Sequence, residues 1–194
     1  MTKPTFPEYI QSVQEVTTKS GRVLESVSES AGRAIIESLT HGGKVICFGN
    51  GGSADQASHL AGELVGRFRA NRKSLPAISL VSDAATITCI ANDFGYSEVF
   101  ARQMEAFAQP GDIAIGLTTS GKSENVVKAF AVASERRAAT IALTGAGGLI
   151  GGKADYLVAV PSTDTAHIQE VHLMVLHSIC IAIEDAFPEA GKKS

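Results

Sequence analysis

The sequence predicts an α/β fold, a three-layer sandwich around a five-stranded parallel sheet. Three observations predict it. Five short apolar segments recur along the chain, each nearly continuous in apolar residues rather than alternating, which suits parallel strands covered on both faces. Helical patterns separate them, as in doubly wound sheets. The 194 residues, 44% of them hydrophobic and 19% charged, suit one domain, 1–194, with a full core.

The elements follow in order. Residues Tyr9 to Leu39 read as helix. Ile10, Val13 and Val16 recur at three-residue spacing, and Leu24, Val27, Ala31, Ile35 and Leu39 at a spacing near four. Gly21 is a candidate division into two helices, and His41-Gly42-Gly43 ends the second. This N-terminal segment, 1–42, has an apolar face that needs a partner. Strands are expected at Val45–Phe48, Ala77–Leu80, Ile113–Leu117, Thr140–Leu143 and Tyr156–Val160. Helices are expected at Asp55–Arg69, Ala84–Ala91, Tyr96–Ala108 and Glu124–Arg136, with a short one near Leu149 and a last from about Thr165 to Phe187. Right-handed crossovers follow from the twist of parallel strands.

Bulk properties narrow the function. The net charge is -3 with no basic block, which weighs against nucleic-acid binding. The N-terminus has no apolar core of a secretory signal. No apolar run approaches the roughly 18 residues of a membrane span. Cys47, Cys89 and Cys180 are odd in number, far apart and set in apolar stretches. They are expected as buried free thiols in a reducing cytoplasm.

In doubly wound sheets ligands bind beyond the carboxyl ends of the strands. After the first strand comes Gly49-Asn50-Gly51-Gly52-Ser53, then a helix. Its glycines let a ligand approach the backbone, and the helix start offers amides to an anion or hydroxyl. It lacks both the Walker and the dinucleotide spacing, and a structural glycine turn explains it equally well. After the third strand comes Thr118-Thr119-Ser120-Gly121-Lys122-Ser123. Capping needs one hydroxyl and this turn has four, which favours phosphate binding. Lys122 and Arg67 are candidate counter-charges, with solvated surface as the default.

His59 and Glu63 lie four apart on one helix face, and Gln169 and His177 eight apart on the last helix. If the two faces meet, the resulting N, O, O, N set suits zinc or a similar divalent ion. Spacing alone equally describes a surface pair for His59 and Glu63. His177 and His172, set among apolar residues, also read as core histidines. Asp164 is a candidate cap for the last helix.

Taken together, Gly49–Ser53 with His59-Leu60-Ala61-Gly62-Glu63, Ala91-Asn92-Asp93-Phe94-Gly95-Tyr96, Thr119–Ser123, Val160–Thr165 and Ile168–His172 with His177 resemble the bacterial phosphoheptose isomerase family of sugar isomerase (SIS) domains. The resemblance covers nearly the whole chain in the expected order. It implies a flavodoxin-like SIS domain that converts sedoheptulose 7-phosphate to D-glycero-D-manno-heptose 7-phosphate, toward nucleotide-activated heptose for lipopolysaccharide. It implies one zinc per subunit on His59, Glu63, Gln169 and His177. It implies substrate contacts at Asn50, Gly51, Gly52, Asn92, Asp93, Thr118, Thr119, Ser120, Ser123 and Gln169, with Ser53 in the same loop. It implies a homotetramer with sites at subunit interfaces, the N-terminal segment contributing to the interface. Two positions depart from the family. His167 stands where arginine or lysine is usual, and Thr118 where serine often comes first.

Aldose–ketose isomerisation moves a proton between adjacent carbons through an enediolate. Metal can stabilise its charge, with Glu63 and His177 as the candidate catalytic proton carriers. A side chain bound to metal is a poor base, so either the ligands detach or one serves only the metal. The rival readings are a SIS-domain DnaA-binding protein without catalysis, a sugar-phosphate sensor, and an isomerase of another sugar phosphate. The presence of both Glu63 and His177 favours an enzyme over the first. A sensor usually adds a further module, for which this chain has no room.

Overall fold

The structure is a computed structural model that describes residues 4–189. Five strands form one parallel sheet: β1 (Val45–Gly49), β2 (Ala77–Ser79), β3 (Ile113–Thr118), β4 (Ala139–Thr144) and β5 (Tyr156–Ala159). Their order is β2-β1-β3-β4-β5, the flavodoxin-like arrangement, whose ligand crevice opens where the order reverses between β1 and β3. Six helices cover the sheet: α1 (Phe6–Thr40), α2 (Gly52–Val65), α3 (Ala84–Phe94), α4 (Ala101–Phe107), α5 (Glu124–Glu135) and α6 (Thr165–Ala186).

Strand side chains alternate between faces, and the core divides accordingly. Val45, Cys47, Ile113, Ile115 and Leu143 point with α1, α2 and α6 into one layer. Ile46, Phe48, Ala114 and Ala142 point with α3, α4 and α5 into the other. Burying both faces explains why the strand segments read as continuous apolar runs.

Several boundaries differ from expectation. α1 is one helix, not two. Gly21 lies in open space, and a single interior glycine costs only about 1 kcal/mol relative to alanine, too little to break a helix packed along α6. α2 begins at Gly52, three residues early, and ends before Gly66, whose backbone leaves the helical region. The Tyr96–Ala108 pattern is a 3₁₀ turn (Tyr96–Glu98) followed by α4. The bend between them seats Val99 and Phe100, neighbours in sequence, both in the core. No helix forms near Leu149. Gly148 and Gly151 adopt positive φ there, which stops a helix from propagating.

By length and composition α6 is apolar enough to cross a bilayer, a possibility hidden in the sequence because His167, His172, His177 and Glu184 interrupt the apolar run. In the fold its apolar residues, Ile168, Val171, Val175, Leu176, Ile179 and Ile183, form part of the core.

Candidate active site

The β1 and β3 loops meet at the reversal of strand order. Asn50 and Asn125 exchange carboxamide hydrogen bonds, Asn50 Nδ2 to Asn125 Oδ1 and Asn125 Nδ2 to Asn50 Oδ1, both 2.9 Å. The Tyr96 hydroxyl donates to Asn50 Oδ1 at 2.8 Å. Asn125 is buried in the first turn of α5. Tyr96 closes the motif Ala91–Tyr96 but has no role assigned from sequence, and Asn125 is not named there. The only signal for Asn125 is a polar residue between Ser123 and the buried Val126, on a helix start where solvent-facing polar groups are usual.

Gly51 opens α2 with φ 56° and ψ −128°, a conformation that side chains rarely adopt. At Gly52 a Cβ would stand 2.7 Å from Gln169 Nε2. Glycine there lets the Gln169 carboxamide of α6 lie directly on the loop. Gln56 Nε2 donates to the Gln169 carbonyl at 2.6 Å, a second tie between α2 and α6. Ser53 is buried.

The β3 turn is a dense set of hydroxyls at the start of α5. Thr118 Oγ1 and Ser123 Oγ lie 3.1 Å apart. Ser120 Oγ accepts from the Lys122 amide at 3.2 Å. Ser123 occupies the N-cap position but its side chain makes no cap bond, so the hydroxyl is turned toward the loop instead. Gly121 has φ 67°, and a Cβ on it would fall 1.8 Å from the Gly148 carbonyl oxygen. The glycine-rich segment after β4 therefore packs against this turn, fastened by the Ile150 amide to the Gly121 carbonyl at 2.8 Å.

Asn92 and Asp93 sit exposed at the end of α3, with Asn92 Nδ2 donating to Asp93 Oδ1 at 2.8 Å. Tyr96, a few residues on, is the one of this segment that bonds the β1 loop. Cys89 is exposed beside Asp93, which corrects the expectation of three buried thiols. Cys47 and Cys180 are buried, and burial pushes both thiols upward, Cys180 to about 12.

α2 and α6 run side by side and parallel: Gly52 meets Gln169, His59 meets His177 and, just past the end of α2, Phe68 meets Glu184, in the same order along both. Between them, His59 Nε2 lies 3.1 Å from His177 Nε2 and 3.3 Å from Glu63 Oε1. His59 is the shared partner. Glu63 and His177 each meet it rather than a common centre, and among the described residues no three histidine, cysteine, aspartate or glutamate side chains form a ready-made metal cluster. Gln169 belongs to the loop end of the groove. Eight residues separate it from His177, about 12 Å along the helix axis.

The remaining candidates have structural partners. His172 is fully buried. Its Nε2 donates to the Thr144 carbonyl at 3.1 Å, and burial lowers its pKa to about 4. Asp164 caps α6, accepting from the Ala166 and His167 amides at 2.9 and 3.2 Å. Arg67 bonds exposed Asn71. His167 lies 3.1 Å from Ser12 Oγ, its ring tilted against that of Tyr9. Tyr9 in turn donates to Glu170, which raises the phenol to about 12.

A flavodoxin-like sheet with an anion-suited hydroxyl turn at its reversal point and an imidazole–carboxylate group on the same domain defines an α/β domain with a crevice of the kind that binds anionic small molecules. The SIS domain family matches residues 8–145. The phosphoheptose isomerase of Thermodesulfovibrio yellowstonii is 48% identical over 196 residues, covering 98% of this chain and 95% of its own. That of Paramagnetospirillum magneticum is 47% identical over 171 residues, covering 88% and 89%. The solved phosphoheptose isomerase of Neisseria gonorrhoeae superposes with a TM-score of 0.85 at 35% identity, covering 91% of this chain and 95% of its own. The chain belongs to the phosphoheptose isomerase family of SIS-domain enzymes.

Proposed function

We propose that this enzyme interconverts sedoheptulose 7-phosphate and D-glycero-D-manno-heptose 7-phosphate, in the route to nucleotide-activated heptose for lipopolysaccharide. The observation that carries the chemistry is the His59–Glu63–His177 group between α2 and α6. The relatives named above carry the choice of a heptose.

The phosphate fits the β3 turn, where Thr118, Thr119, Ser120 and Ser123 offer hydroxyls and the α5 N-terminus offers amides and a favourable dipole. The sugar chain then extends along Asn50, Gly51, Gly52 and Ser53, with Gln169 on one side and Asn92 and Asp93 on the other. Isomerisation removes a proton from C1 of the ketose, leaving an enediolate, and returns one to C2. Glu63 and His177 are the groups suited to those transfers.

Zinc, one per subunit, suits the chemistry of the donor set, two imidazoles and a carboxylate gathered around His59, although these side chains do not already form a cluster and would have to turn toward the ion. His59, Glu63 and His177 would hold the ion, with Gln169 as the outlying donor. Such an ion supplies Lewis-acid stabilisation of charge on the sugar oxygens. We also propose a homotetramer with its sites at subunit interfaces and a cytoplasmic location, where an exposed free thiol such as Cys89 persists.

The test is conversion of sedoheptulose 7-phosphate followed by NMR. Conversion is expected to stop on chelation and return with zinc. Glu63→Gln is expected to lose at least the 10²-fold typical of a general base while retaining zinc. Full activity in that variant removes Glu63 from the chemistry. No conversion by metal-loaded parent overturns the substrate assignment.

A further inference from the structure

The loop after α2 does more than join it to β2. The last carbonyls of a helix lack intrahelical partners. Here the Arg72 guanidinium supplies them: Nη2 donates to the Glu63 carbonyl at 2.5 Å and Nη1 to the Leu64 carbonyl at 2.8 Å. Nη1 also reaches the Lys73 carbonyl at 3.0 Å. A cation at the negative end of α2 is also favoured by the helix dipole. The turn that Arg72 fastens is the one bearing Glu63.

The same loop is fastened to α6. A single carboxylate oxygen, Glu184 Oε1, accepts from three successive amides, Phe68, Arg69 and Ala70, at 3.1, 2.8 and 3.1 Å. Glu184 lies seven residues beyond His177, two turns along the same helix face. Held by its own amide, Phe68 lays its ring against the His177 imidazole, with centroids 5.2 Å apart and planes 31° apart. The Arg69 guanidinium covers the Phe68 ring at 4.9 Å. Arg72 thus braces the backbone of one reactive side chain, and Glu184 braces the ring that packs on another. Arg72 Nε is buried without a partner, a cost borne while the Nη atoms make their three carbonyl bonds.

We propose that Arg72, Glu184 and Phe68 are positioning residues, a brace that fixes Glu63 and His177 relative to one another across the α2–α6 groove. This rests on the metal reading above only in one of its two readouts. Outer partners of metal ligands typically govern affinity by about 10–100-fold. Glu184→Ala and Arg72→Ala are therefore expected to weaken zinc binding by about that factor, measured by competition with a chromophoric chelator. Glu184→Gln keeps an acceptor oxygen and is expected to stay near the parent.

The second readout needs no metal. In the metal-free protein the His177 ring protons should carry a ring-current shift from Phe68. Glu184→Ala and Phe68→Leu should both abolish it, whereas Glu184→Gln should retain it. Phe68→Leu leaves the three amides and Arg72 in place and assigns the shifted resonance to the Phe68 ring; if Glu184→Ala fails to fold, the zinc affinity of Phe68→Leu, expected to fall, tests the brace instead. A parent that binds no zinc overturns the metal reading, and the His177 resonance then decides the brace alone. A His177 resonance that Glu184→Ala leaves unmoved overturns the brace, as does parental zinc affinity in Arg72→Ala, Glu184→Ala and Phe68→Leu alike.

Discussion

His172 shows how one residue's surroundings set a pH dependence. Its ring is wholly enclosed, Nε2–H is spent on the Thr144 carbonyl, and Nδ1 is buried without a partner. Protonation would place a charge in that core, so burial lowers the pKa from 6.5 to about 4. The unfolded chain binds this proton more readily than the folded one. Stability is therefore complete above the unfolded value and falls as pH drops from 6.5 toward 4. A shift of this size corresponds to about 3 kcal/mol. His172→Gln can still donate to Thr144 but does not titrate. Urea unfolding at pH 7 and at pH 4 should show the parent losing about 3 kcal/mol more than the variant. Equal losses would mean that His172 is hydrated in solution.

At the scale of elements, glycines of the same chemistry have opposite expected effects. Gly21 lies in the interior of α1 with nothing near its missing Cβ. Gly21→Ala should raise folding stability by about 1 kcal/mol. Gly121 has φ 67° and faces the Gly148 carbonyl. Gly121→Ala should push the hydroxyl turn from the glycine segment after β4 and raise KM for the sugar phosphate while sparing the β3 core. Denaturant midpoints and steady-state kinetics on the two variants check both statements. The same pair explains what the sequence made legible. Strands and most helices were readable, because apolar continuity and 3.6-residue periodicity report burial directly. The hydroxyl turn and the His59–Glu63 pair were readable because local spacing brings their members together. What spacing does not record is tertiary geometry. Nothing local says that Gly21 is tolerated in a helix packed on α6, that Asn125 reaches Asn50, or that Glu184 collects the amides of residues 68–70. Cys89 was misplaced for the same reason, since an apolar neighbourhood in sequence does not fix which side of α3 faces out.

On the whole molecule, an apolar surface is left open where α1 and α6 lie together. A groove of about 570 Å³ runs between them, lined by Leu24, Gly32, Ile36, Met174, Val175 and Ile179. Val23, Met174 and Ile181 are exposed on these two helices. Of these, Met174 lines the groove itself, and an exposed apolar groove marks an interaction site more often than scattered single residues do. Because α6 also bears Gln169 and His177, an assembly formed through this face couples oligomer state to the site. Light scattering on the parent should give about four times the chain mass if the proposed homotetramer, a closed symmetric assembly, forms. Met174→Glu puts a charge into the groove wall, three residues from His177 in sequence and outside the His59–Glu63–His177 group. It should lower the measured mass and reduce isomerase activity together, with chain folding retained by circular dichroism. A monomeric parent with full activity would remove both the tetramer and the interface site. A monomeric variant with parental activity would keep the tetramer but show that each chain holds a complete site.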